Sequence, residues 1–576
     1  MRKLLKYLKN YKLQSVLAPL FKLLEACFEL FVPIIVAAII DTGIGDGTNS
    51  AGVSYIIYAC LILVGLGVVG LIAAVAAQYF AARAAVGFSK ELRHDLFKKM
   101  QSLSYSQIDG LGTPRMITRM TSDVNQIQSG VNLVLRLFMR SPFIVFGAMI
   151  MAFIIDAVAG GVFAISIAVL CVVVFTIMLV SIPLYKKAQG KLDKVTLTTR
   201  ETLTGARVLR AFCKEEDEIK EFSSRNTELT NSQLFVGRIS ALMNPLTYAI
   251  INAAIIILLY VGAIRVEDGI LTQGMVIALY NYMSQILVEL IKLANLIITV
   301  TKSFASAGRI NEILEMQPSL IHGSRIEPAS GAYIQFKNVC LNYGNAAVNA
   351  LDNISFTAEK GQTIGIIGGT GAGKTTLVNL IPHFYDATSG EVLIDGVNVN
   401  AIGDEVLREE CGVVPQRAVL FEGTIRDNMQ WGKNDATDDE IAEAVQIAQA
   451  ADVVASKSKG LNERVEQGGK NFSGGQRQRL TIARALVKKP QILILDDSAS
   501  ALDYATDASL RSALKNLNYK PTVFIVSQRT SSISHADKII VLDGGKMAGI
   551  GTHDELLKSC ELYREIHYSQ YAKEGA

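Results

Sequence analysis

The chain has 576 residues, 50% of them hydrophobic, with 56 Lys and Arg against 53 Asp and Glu for a formal net charge of +3. With a mean hydropathy of +0.31 it is too apolar for an ordinary soluble protein, and its charge is too small to suggest nucleic-acid binding. Its seven cysteines (27, 60, 171, 213, 340, 411 and 560) show no C-x-x-C spacing, so neither a zinc site nor a disulfide framework is implied, and their scatter suits a reducing cytosol and a membrane interior.

The apolar excess lies before about residue 300, which predicts a membrane half followed by a soluble half. Arg2, Lys3, Lys6 and Lys9 precede the first apolar run, as in a signal peptide. Glu25 and Glu29 interrupt that run and no small-residue cleavage pattern follows, so an uncleaved first membrane helix led by an amphipathic segment is expected. Six apolar segments follow in order, near 14–40, 53–79, 132–155, 160–184, 240–264 and 273–300, each long enough for about 20 residues of hydrocarbon span.

The connections alternate in length and charge. Asp41–Ser50 carries two aspartates and no Lys or Arg, and Asp156–Gly160 is very short. The intervening long segments are basic, one with Arg83, Lys90, Arg93, Lys98, Lys99, Arg115 and Arg119, the other from Lys186 to Arg238. The positive-inside rule puts these segments, both termini and the soluble half in the cytosol. Their apolar periodicity is helical, so helices two to five are expected to run past the bilayer and turn back at short transverse helices near Thr113–Arg119 and Glu201–Phe212.

In the sixth segment Asn281, Gln285, Glu289, Lys292 and Asn295 fall on one helical face, and in the first Glu25 and Glu29 share a face. Ionisable groups within a membrane are costly and face a cavity or a partner. Two readings stay open: these residues line a translocation cavity, or Glu289 and Lys292 form a structural pair at a helix–helix contact. The apolar pattern ends in Ser303–Gly331, a junction rich in polar residues, Gly and Pro.

From about residue 331 strands and helices alternate, as in an α/β nucleotide-binding fold. Gly368-Gly369-Thr370-Gly371-Ala372-Gly373-Lys374-Thr375 reads G-x-x-x-x-G-K-[ST], between the expected strand Thr363–Ile367 and a helix opening at Thr376. Glycines let successive N–H groups point at phosphate oxygens, Lys374 supplies a point charge, and the Thr375 hydroxyl suits Mg²⁺. Ile492–Asp496 is an apolar run ending in an acid, which suits a buried strand delivering a carboxylate to Mg²⁺. Ser473-Gly474-Gly475-Gln476 opens a basic helical stretch and makes a second phosphate cradle. One monomeric site does not need two cradles. Two such domains pairing head to tail, each lending its second cradle to the other's nucleotide, explains both.

Over essentially its whole length the chain resembles an ATP-binding cassette (ABC) exporter half-transporter. The resemblance implies an α-helical polytopic membrane domain of six transmembrane helices (1–315), a linker (316–330) and an α/β P-loop ATPase cassette (331–576), with ATP and Mg²⁺ as cofactors. By the same resemblance, Tyr343 corresponds to the aromatic that stacks on adenine, and Gly368 through Thr376 to the Walker A loop and the start of its helix. Gln416, in Val413-Val414-Pro415-Gln416, corresponds to the glutamine linking Mg²⁺ to the membrane domain. Ser473–Gln476 corresponds to the signature, Asp496 to the Walker B aspartate, and Ser500-Ala501-Leu502-Asp503 to the D-loop.

Two positions depart from the family pattern. The catalytic glutamate after the Walker B aspartate is Asp497, and the switch histidine after the strand Thr522–Val526 is Gln528. Asp is one methylene shorter than Glu, and Gln cannot carry a proton, so this chain's own site is expected to bind ATP and turn it over slowly. Val465-Glu466-Gln467-Gly468-Gly469 also replaces the usual V-G-E-x-G before the signature. Such paired changes resemble one chain of a heterodimeric bacterial exporter. The partner would then carry Glu and His at the two positions, and this chain's intact signature would complete the partner's site. The resemblance implies export of drugs, lipids or peptides across a cytoplasmic membrane by alternating access. The alternatives are a slow homodimeric exporter and a non-transporting, ATP-gated membrane protein. An importer fits poorly, because membrane and cassette regions share one chain.

Overall fold

The computed structural model describes residues 2–44, 50–317, 333–344, 346 and 348–570. The expected linker 316–330 falls outside the described residues from position 318 onward, as does Asp46 of the first short loop. The chain divides into two compact units: Met1–Gln101 with Pro114–Met316, and Ser102–Thr113 with Gln317–Ala576.

In the first unit, among the described residues, six helical stretches are long and apolar enough to cross a membrane: Lys3–Ile44, Gly52–Gln101, Thr113–Ile155, Ala157–Thr204, Glu215–Glu267 and Gln273–Glu315. All six exceed the roughly 20 residues a bilayer core requires, so the apolar segments are the central parts of longer rods. Leu and Val side chains remain exposed along these helices, and small residues such as Ala26, Ala148, Ala152, Ala254 and Ala278 are buried at the contacts beside larger ones such as Phe163 and Tyr282. This is how helices associate where lipid solvates the larger apolar groups.

Short connections are held by polar caps. The short loop expected at Asp156–Gly160 shrinks to Asp156 alone, because its carboxylate accepts from Ala159 N at 2.9 Å and starts the next helix at Ala157. Arg265 pairs with the other oxygen of the same carboxylate. Asp41 ties the end of the first helix to the start of the last, accepting from Gly274 N at 2.8 Å and from the Thr272 hydroxyl.

The first transverse helix is Tyr105–Leu111, which corrects the expected position at Thr113–Arg119. Ser104 and Gln107 form a reciprocal capping box that starts it, and Gly112 ends it at φ +73°, a conformation that favours glycine. Thr113 already belongs to the next long helix. The second, Ala206–Ala211, lies inside the expected Glu201–Phe212.

The second unit is the α/β cassette. Its strands are β1 (Ile334–Leu341), β2 (Leu351–Ala358), β3 (Thr363–Gly368), β4 (Ser389–Ile394), β5 (Val397–Asn398), β6 (Cys411–Val414), β7 (Gly423–Thr424), β8 (Arg464–Val465), β9 (Ile492–Asp496), β10 (Thr522–Val526), β11 (Lys538–Asp543) and β12 (Lys546–Gly551). The main sheet runs β12-β11-β3-β10-β9-β6, parallel except for the β11–β12 hairpin. Fully buried β9 and β10 read as continuous apolar runs, as parallel strands covered on both faces do. An antiparallel sheet, β2-β1-β4-β5, flanks it. Because β3, β9 and β10 are neighbours, their C-terminal ends deliver Gly368, Asp496 and Ser527 to one edge, where open α/β sheets bind ligands.

Candidate nucleotide site

The loop after β3 needs glycine for two physical reasons. Gly371 and Gly373 sit at φ +83° and +94°, and a Cβ on Gly373 would lie 2.6 Å from the Ala350 carbonyl oxygen. Lys374 Nζ donates to the Gly368 and Gly369 carbonyls at 2.8 and 2.7 Å, holding its charge over the loop. Thr375 Oγ1 donates to Asp496 Oδ1 at 3.0 Å, so β3 and β9 present a hydroxyl and a carboxylate side by side. That oxygen pair fits Mg²⁺, which takes one or two protein oxygens and leaves its remaining positions to water and phosphate.

Asp497 follows on a left-handed backbone, φ +46°, with its N–H donating to the Val526 carbonyl at 3.0 Å. Its Oδ2 accepts from Gln416 Nε2 at 3.3 Å and from Gln528 Nε2 at 3.4 Å. Residues 416, 497 and 528, far apart in sequence, therefore converge on one oxygen. Burial pushes the Asp496 carboxyl above the ordinary aspartate range, and the adjacent Asp497 charge adds to it against the pull of Thr375 and Lys374. Burial also raises Asp497, opposed by Gln416, Lys374, Arg529 and Gln528. Lys374 is shifted down by burial, opposed by both aspartates.

Tyr343 donates from its hydroxyl to Thr376 Oγ1 at 3.1 Å and meets Tyr385 edge-on at 5.2 Å. Tyr385 in turn donates to Asp109 of the transverse helix at 2.7 Å, while Tyr105 of that helix packs on Phe384 at 4.6 Å. Sequence reading missed this path from Tyr343 to the helix Tyr105–Leu111, because it joins residues far apart in the chain.

Ser473 caps the 13-residue helix Gly474–Leu486 through a reciprocal box with Gln476. Gly475 packs on the D-loop, where a Cβ would lie 3.0 Å from the Ala501 carbonyl oxygen. Among the described residues no hydrogen bond joins Ser473–Gln476 to Gly368–Thr376. The two cradles of one chain are thus separate. Asp503 stands at the N-cap of the helix Tyr504–Lys515, and Ser500 Oγ donates to the Asp497 carbonyl at 2.7 Å.

In the membrane unit, Glu289 is only 2% exposed. It accepts from Arg140 Nη1 at 2.6 Å, Ser141 Oγ at 2.8 Å and Lys292 Nζ at 2.8 Å. Arg140 Nη2 also grips both oxygens of Glu29 at 2.8 Å, and Lys22 pairs with Glu25 at 2.5 Å. The Glu289–Lys292 pair is present, enlarged by Arg140, and is compatible with either reading. Sequence reading passed over Arg140 because, with Arg136, it lies in the first half of a long apolar segment and its partners are on other helices. Asn281 and Gln285 are half-buried on the same helix.

Residues 15–290 match the family model described as the ABC transporter transmembrane region, and residues 351–500 match the one described as ABC transporter. The chain is 34% identical over 576 residues to the uncharacterized ABC transporter ATP-binding protein YfiB of Bacillus subtilis (strain 168), covering 100% of both. It is 30% identical over 494 residues to an ATP-dependent lipid A-core flippase of Syntrophus aciditrophicus (strain SB), covering 84% of this chain and 80% of that one. Its fold is similar to that of a bacterial Atm1-family ABC exporter solved with ATP bound, with a TM-score of 0.82 at 23% identity over 98% of this chain and 99% of the other.

Proposed function

We propose, given that the chain belongs to the ABC transporter family as an exporter half-transporter, that it is the slow-site subunit of a heterodimeric exporter in a cytoplasmic membrane. Its cassette and termini face the cytosol, and its cargo is a lipid, drug or peptide. The observation that carries the proposal is Asp497 with Gln528 on one oxygen, beside an otherwise complete phosphate loop.

MgATP supplies the bond whose cleavage, and the binding energy whose change, drive the cycle. Lys374 and the loop N–H groups bind phosphate, Thr375 and Asp496 offer oxygen to the metal, and Tyr343 flanks the base. Asp497 is the nearest carboxylate to act as a base. Its shorter stem and its two amide donors hold it back from a water, and a missing general base costs about 10²–10⁴ in rate. Ser473–Gln476 serves the partner's nucleotide. Asp109 and Tyr385 connect the first transverse helix to the nucleotide side, so a difference in ATP binding between two arrangements can bias the membrane helices.

The test is steady-state phosphate release by the purified chain alone and with its partner. The chain alone binds ATP and turns it over at least about 10²-fold more slowly than the pair. Brisk Mg²⁺-dependent turnover by a verified homodimer would overturn the proposal. Co-purification of a second half-transporter with Glu and His at the two positions would support it.

A further inference from the structure

The last described helix, Glu561–Gln570, does more than close the cassette. Tyr563, fully buried, anchors it in the core, and its hydroxyl lies 2.7 Å from His553 Nδ1. Its end reaches the loop after β10. Gln570 Nε2 donates to the Gln528 carbonyl oxygen at 2.6 Å, while Gln570 Oε1 accepts from Thr530 N at 2.8 Å and from Thr530 Oγ1 at 3.1 Å. His567 Nδ1 adds a contact to Thr530 Oγ1 at 3.3 Å.

One side-chain amide therefore serves a carbonyl and an N–H two residues apart, as a neighbouring strand would. Among the described residues, no other partner serves the Gln528 carbonyl or the Thr530 N–H. Thr530 is fully buried, so water does not readily replace the lost acceptor. Between the two clamped groups sits Arg529, which donates to the Leu502 carbonyl of the D-loop at 3.4 Å and lies 4.9 Å from the centre of the Tyr504 ring. Before it, Ser527 is tied to β3 through Ile366 O at 3.1 Å. The segment that presents Gln528 to Asp497 is thus pinned at one end by the sheet and at the other by Gln570.

We propose that Gln570 is a positioning residue for the nucleotide site: it fixes the backbone on both sides of Arg529 and so aims the Gln528 amide at the place where the terminal phosphate of ATP lies. This rests on reading Gly368–Thr376 as the nucleotide loop. It rests as well on reading Gln528, which stands beside Asp497, at the switch position that meets the terminal phosphate. The predicted signature is selective: ADP lacks that phosphate, so loosening this loop weakens ATP and spares ADP.

The experiment uses the full-length chain in lipid nanodiscs, titrated by displacement of a fluorescent trinitrophenyl nucleotide with ATP and separately with ADP. Thermal melting is recorded beside each titration. In Gln570→Ala the affinity for ATP falls about five-fold, the worth of about one neutral hydrogen bond, and that for ADP changes less than about two-fold. Gln570→Glu keeps the length and the acceptor for Thr530 but cannot donate to the Gln528 carbonyl, so it loses ATP affinity in the same direction as Gln570→Ala and by less. Unchanged ATP affinity in both variants overturns the proposal. So does an equal loss of ATP and ADP affinity with a lowered melting temperature, which would make the helix a structural support only. A wild-type chain that binds neither nucleotide overturns the premise, and is told apart because it fails before any substitution is made.

Discussion

Gln528 Nε2 points at Asp497 Oδ2 across 3.4 Å, an amide donor facing a carboxylate where the family pattern has an imidazole facing a longer acid. Burial outweighs the amide's pull and leaves the Asp497 carboxyl raised, so what the pair lacks is the reach of the longer acid and a group that can carry a proton, since an amide has none to give back. Converting the pair, Asp497→Glu with Gln528→His, should raise phosphate release by this chain's own site by about 10²-fold, the lower end of what a general base contributes. Either change alone should do less, because neither the reach nor the proton carrier is then complete. A double variant no faster than wild type would place the block elsewhere.

The separation of the two cradles within one chain implies asymmetric mutants. If the chain works in the proposed heterodimer, Ser473→Arg fills the cradle offered to the partner, so the pair's steady-state ATPase should nearly vanish. Asp497→Asn touches only the site proposed to be slow and should leave most of that activity. Phosphate release at saturating ATP, each variant with the same wild-type partner, reads both. If Asp497→Asn abolished turnover while Ser473→Arg was tolerated, the sites would be assigned backwards.

Glu289 and Arg140 form a buried pair, 2% and 6% exposed. Removing either partner breaks the most buried pair of the network, leaving Arg140 to Glu29 and Glu25 or Glu289 to Ser141 and Lys292, and breaking a buried pair typically costs about 3–5 kcal/mol. Lys292 reaches the same carboxylate from a side chain that is 41% exposed, and Lys292→Ala should cost under about 1 kcal/mol. Melting of the solubilised protein should therefore fall sharply in Glu289→Ala and Arg140→Ala and little in Lys292→Ala. Transport lost at an undiminished melting temperature would instead assign Glu289 to cargo.

The raised carboxyls of Asp496 and Asp497 set the sign of a pH effect. The folded protein holds those protons more tightly than the unfolded chain. Their contribution to stability is therefore full below the ordinary aspartate range and lost as the pH rises through the raised values. At pH 7 without nucleotide, Asp496→Asn removes a buried charge and should melt higher than wild type, by about 2–4 °C for each 1 kcal/mol regained. With saturating MgATP the order should reverse, since the variant lacks the metal's carboxylate. A lower melting point for Asp496→Asn in both conditions would refute the sign.

Periodicity and motif spacing carried much of this molecule. The apolar segments, β9, β10 and the phosphate loop all follow from local pattern, because burial on both faces leaves an unbroken apolar run and the loop's glycines are dictated by backbone conformation. What escaped was set by contacts far apart in the chain. Arg140 looks like a cation without a partner until Glu289 and Glu29 close on it. Gln570 is an unremarkable polar residue until the fold brings Gln528 and Thr530 to it. The first transverse helix was displaced because Thr113–Arg119 has the polar look of a turn, whereas the Ser104–Gln107 box and Gly112 decide where the chain breaks.

The second long helix, Ser50–Gln101, is 52 residues in one piece. At about 1.5 Å per residue it measures about 78 Å, of which a bilayer core accounts for about 30 Å. The remaining length, about 48 Å, makes the helix a lever with unequal arms. A tilt of about 5° about the membrane end sweeps the far tip by about 4 Å, close to the 5.4 Å pitch of one helical turn. Modest angular freedom within the bilayer is thereby converted to a displacement as large as a side chain at the end where Ser102 begins the turn. The gearing works in reverse as well: a shift of a few ångströms imposed at the tip reaches the membrane as a rotation small enough to leave its helix contacts packed.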